Sequence, residues 1–68
     1  MKKEELIQEY KSIKHQNFDV LFERLDGSEN SEKAFYFLNL KSYSLKYWSK
    51  LRLVSLITNL KKYIEYNV

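Results

Sequence analysis

From Met1 to Val68 the chain contains no proline and one glycine, Gly27. An all-β fold of this size needs many tight turns, and glycine and proline are the residues that make them without strain. Their scarcity favours helices with few connections. The size sharpens the constraint. A domain of about 60 residues buries only about 60% of the surface its unfolded chain exposes, so a stable fold must pack large side chains densely. This chain has them: 44% of its residues are hydrophobic and 16% aromatic, including six Tyr, four Phe and one Trp.

The expected first element runs from about Lys3 to Leu25. Leu6, Tyr10, Ile13, Asn17, Leu21 and Leu25 recur at three- and four-residue steps and line one face, with Ile7, Phe18 and Phe22 widening the stripe. Gln8, Lys11, Ser12, His15, Asp19 and Glu23 occupy the other side. Gln16 and Asn17 are a candidate break, with Asn17 capping a shorter second helix. Residues 26–31 read as a linker, in which Gly27 supplies a left-handed helix end and Ser28 or Ser31 caps the next helix. Glu29 and Glu32 then fall in a first turn, where the helix dipole favours acids.

Residues 31–43 admit two readings. Ala34, Phe35, Tyr36, Phe37, Leu38 and Leu40 encircle a helix, which would have to be buried or present aromatics to a partner. Continued through Tyr43, Leu45 and Tyr47, the same residues alternate well enough for a short hairpin over 34–47. Helix is preferred because no hairpin turn separates the two candidate strands. The last element extends from about Ser44 or Ser49 to Tyr66, with Ser44 as a candidate cap and Leu53, Leu56, Ile57, Leu60, Tyr63 and Ile64 as its apolar stripe. The expectation is an all-α domain spanning 1–68, a small three-helix bundle, with α+β as the alternative.

Site chemistry is sparse. His15, the only histidine, lies one turn from Lys11 and Asp19 and pairs with Asp19 on a continuous helix, but no nucleophile motif accompanies it. With no cysteine there are neither disulfides nor thiolate sites, which fits a reducing, cytoplasmic setting. The run Asp26–Asn30 lacks the alternating acids of a calcium loop, and one glycine cannot build a phosphate-cradling loop. No cofactor, metal or small-molecule substrate is expected, nor an enzyme. The longest apolar run, Ala34–Leu38, is far below the roughly 18 residues of a membrane span, and Glu4 and Glu5 interrupt any signal-like start.

Charge is unevenly placed. Residues 1–33 carry six Lys or Arg against eight Asp or Glu, and residues 34–68 carry six against Glu65 alone. Such an excess projects a field toward partners of opposite sign. It is densest between Lys41 and Arg52, where Tyr43, Tyr47 and Trp48 alternate with Lys41, Lys46, Lys50 and Arg52. On a helix starting near Leu45, Trp48 and Leu51 fall opposite the core face, with Ser55, Lys62 and Tyr66. If the helix starts later, both cap the core instead. Lys46, Tyr47, Trp48, Lys50, Leu51 and Arg52 are therefore the candidate partner-binding residues. Lys61 and Lys62 are read as complements to the helix dipole, and Glu5 and Glu9 as a solvated face.

These features point to a small regulator, inhibitor or adaptor that binds a larger protein or a second copy of itself. The alternative is a nucleic-acid-binding accessory protein, with the cations on phosphates and Tyr47 or Trp48 on bases. A basic helix lying on an anionic membrane fits less well, because its apolar stripe is needed by the bundle. The richness in Lys, Tyr, Asn, Ile and Leu is compatible with an AT-rich bacterial, phage or plasmid source.

Overall fold

The structure, a computed structural model, describes residues 2–26 and 31–66. It contains helices α1 (Lys3–Gln16), α2 (Phe18–Glu23), α3 (Ser31–Asn39) and α4 (Lys50–Tyr66), with a 3₁₀ segment, Ser42–Tyr47, between α3 and α4. There is no strand among the described residues. The protein is a small all-α bundle, and the hairpin alternative over 34–47 is wrong. The expected linker is mostly outside the described residues, as are Gly27, Ser28, Glu29 and the bulk of the Asp26–Asn30 run. Ser31 already belongs to α3, and Glu32 lies in its first turn.

The first expected helix is two helices. Asn17 leaves helical geometry at φ −116° and ψ 21°, and its side-chain amide donates to the Ile13 carbonyl at 2.8 Å. That bond closes the end of α1, so Asn17 acts as a C-terminal cap and makes no side-chain cap for α2. The apolar stripe nevertheless survives the break. Leu6, Tyr10 and Leu21 are buried, with Ile13 and Leu25 packed against them. Phe18 and Phe22 lie outside this core and stack on each other at a centroid distance of 5.0 Å.

In α3 the encircling apolar set divides by face. Ala34 and Phe37 are buried, whereas Phe35 and Tyr36 are exposed. The helix ends with the Asn39 amide donating to the Phe35 carbonyl at 2.9 Å. An extended Lys41 then leads into the 3₁₀ turns, where Ser44 Oγ donates to the Lys41 carbonyl at 2.7 Å. Ser44 is thus part of this segment and not the cap of α4. Ser49 takes that place: its Oγ accepts the Arg52 amide at 3.2 Å.

Helix α4 packs chiefly on α1, the 3₁₀ segment also on α1, and α3 chiefly on α2. Leu53, Leu56, Ile57, Leu60 and Tyr63 of α4 meet Leu6, Tyr10, Leu21, Phe37 and Leu45 in one core. Polar groups tie its layers together. The buried Tyr10 hydroxyl donates to the Phe37 carbonyl at 3.2 Å. Arg24, from the turn after α2, donates to the Tyr63 and Ile64 carbonyls and lies 4.5 Å from the Tyr63 ring centroid.

Arg24 therefore serves the carbonyl end of α4, the role expected of Lys61 and Lys62. Those lysines sit a turn too early, and Lys61 instead pairs with Glu9 at 3.5 Å. Glu9 thus faces a cation across the α1–α4 contact. Glu5 also has a local role, accepting the Lys2 amide at 3.1 Å to close the start of α1.

Candidate functional site

Because α4 begins at Lys50, the six candidate residues divide among three elements. Lys46 and Tyr47 end the 3₁₀ segment, Trp48 is in the extended connection at φ −83° and ψ 150°, and Lys50, Leu51 and Arg52 form the first turn of α4. The connection turns the indole inward. Trp48 is half-buried against the core, with the Arg52 guanidinium 3.8 Å from its ring centroid. This cation–π contact covers a ring face that would otherwise be wet. Neither geometry weighed for the pair describes both residues. Trp48 is partly core, whereas Leu51 points away from it and is 81% exposed.

Tyr47 is 79% exposed and Tyr43 73%, and Lys46 Nζ lies 5.1 Å from the Tyr47 ring centroid. The segment itself is held from behind. Lys3 Nζ donates to the Lys46 carbonyl at 2.6 Å, and Leu45 is fully buried. A backbone held in this way displays the Lys46 ammonium beside an exposed flat ring. Val54, three residues beyond Leu51 on the same helix, is also exposed and extends the apolar strip. Its three-residue spacing from Leu51 was the available sequence signal. Tyr36 adds a second missed residue: with Trp48, Arg52 and Asn59 it lines a groove of about 190 Å³ between α3 and α4.

His15 and Asp19 are exposed and fall on different helices, because the Asn17 break interrupts the one-turn spacing that would pair them. No group of three or more metal-binding side chains occurs among the described residues. Nor is any helix among them long and apolar enough to cross a membrane. Comparison with known protein families, curated proteins and solved structures gives no match. What the surface does must be argued from its chemistry.

Proposed function

We propose that this protein is a small non-enzymatic regulator that docks on a larger protein through Lys46, Tyr47, Lys50, Leu51 and Arg52. The observation that carries this reading is the exposure of Tyr47 and Leu51, two large side chains that the core does not use, on a backbone the core holds in place. Tyr and Arg are the residue types that concentrate binding energy at protein interfaces, and a leucine between them fits an apolar pocket. Three cations around the strip favour a partner whose rim is acidic. Trp48 supports the surface from beneath rather than forming its outermost contact.

The test is a paired substitution, Tyr47→Ala with Leu51→Ala, followed by circular dichroism and by measured binding to a partner recovered and purified from cells of origin. The variant is expected to melt within a few degrees of the parent and to lose binding by at least about a hundredfold, the scale of a two-residue hot spot. Phe35→Ala, which removes another exposed ring, from α3, is expected to leave binding intact. Retained binding by the double variant would sink the proposal. Doubling of the mass in sedimentation would make the occupant a second copy. Binding to DNA that fades steeply with salt would give the surface to nucleic acid.

A further inference from the structure

A separate cleft of about 550 Å³ lies between α1 and the connection from α3 to the 3₁₀ segment. Lys11, Lys14, His15 and Lys41 line it together with Phe18 and Ser42, and neither Asp nor Glu does. Helix α1 brings Lys11, Lys14 and His15 to one side at three- and four-residue steps. The chain leaving α3 brings Lys41 to the other. In a small domain, like charges converging on one concavity repel unless something neutralises them.

Lys14 is the most constrained of the three lysines. Its Nζ donates to the Leu38 and Leu40 carbonyls at 3.2 Å each, which fixes the ammonium at the cleft and occupies two of its three donors. Burial, and then the nearby Lys41 charge, lower its pKa below the ordinary lysine value. Both effects oppose the charged form, and an anion in the cleft would relieve both.

We propose that this cleft binds a small phosphate-bearing molecule, with Lys11, Lys41 and the remaining donor of Lys14 on the phosphoryl oxygens and Phe18 beside its less polar portion. The volume lies within the usual range for small-ligand sites, roughly 300–1,000 Å³. Phosphate suits the site because it offers several acceptor oxygens to cations approaching from different sides. This inference is independent of the docking surface, since it uses none of the same side chains.

The experiment is a titration of the full chain, labelled with ¹⁵N, using adenosine monophosphate as the probe and adenosine as its uncharged counterpart, at fixed ionic strength. Saturable shifts at Lys11, Lys14, His15, Lys41 and Ser42 with the monophosphate, absent with adenosine, are the expected result. Lys11→Ala combined with Lys41→Ala should weaken that binding by at least about tenfold, the equivalent of one charge-assisted contact, while Lys62→Ala leaves it unchanged. Shifts that rise linearly without saturating would overturn the proposal. So would equal shifts at Lys46, Lys50 and Arg52, because diffuse attraction to any cation would then suffice.

Discussion

Tyr10 combines burial in the core with a polar contact between helices. It is almost wholly buried, and its hydroxyl is a buried polar link from α1 to α3. Burial, and then the nearby Tyr36, push its pKa well above the ordinary tyrosine value near 10. The folded state therefore resists ionising this phenol while the unfolded chain ionises it freely. For a group raised in this way the stabilisation is complete below about pH 10 and is lost progressively as pH rises beyond it. Tyr10→Phe should cost about 1 kcal/mol at neutral pH through the lost hydrogen bond. It should also lose less stability than the parent between neutral pH and pH of about 11. Apart from this phenol the two proteins carry the same side chains, so the difference between their profiles reports on Tyr10. Urea unfolding at several pH values measures it, and parallel profiles would show that Tyr10 does not titrate on unfolding.

At the scale of elements, what decides a boundary here is where a short polar side chain finds its bond. Ser49 starts α4 because its hydroxyl meets the Arg52 amide, whereas the Ser44 hydroxyl is already engaged one turn earlier. Ser49→Ala should therefore destabilise the protein by about 1 kcal/mol, as typical N-cap losses do. Ser44→Ala should cost distinctly less, and thermal unfolding of the two variants provides the comparison. Equal losses would mean that the 3₁₀ segment and α4 melt as one capped unit. The α4 stripe from Leu53 to Tyr63 was legible because each residue repeats at a helical step and all five buried members lie on one face. Its start was not, because Ser44 and Ser49 satisfy the same local rule and only tertiary burial of Leu45 favours one. The same ambiguity blurred the site. The residue types of the basic aromatic stretch were readable, but an extended Trp48 between two helical segments separates it from Leu51, a turn no periodicity encodes. Arg24 was invisible for a different reason: it acts on carbonyls 39 and 40 residues away.

For the molecule as a whole, the charge division along the chain must be weighed against how the halves are folded together. Helix α1, in which three lysines balance three glutamates, lies against the basic α4, and Glu9 and Lys61 meet there, so part of the apparent asymmetry is answered internally. That pair is half open to water, and exposed pairs contribute about 0–1 kcal/mol, less as salt screens them. The stability must come instead from the apolar layer beneath it. Leu60, the residue before Lys61, is fully buried in the core. Removing a buried leucine side chain typically costs about 2–5 kcal/mol. In a domain whose total stability is on the order of 5 kcal/mol, that loss approaches complete unfolding. Leu60→Ala should therefore be largely unfolded at room temperature, and Lys61→Ala should be close to the parent in denaturant midpoint. Raising salt should move the parent's midpoint little. If Lys61→Ala and added salt each destabilised the protein as much as the loss of Leu60, the attraction between its oppositely charged halves would be holding the fold together. The cations around Tyr47 and Leu51 would then have to be counted as part of that balance instead of as charge free to meet a partner.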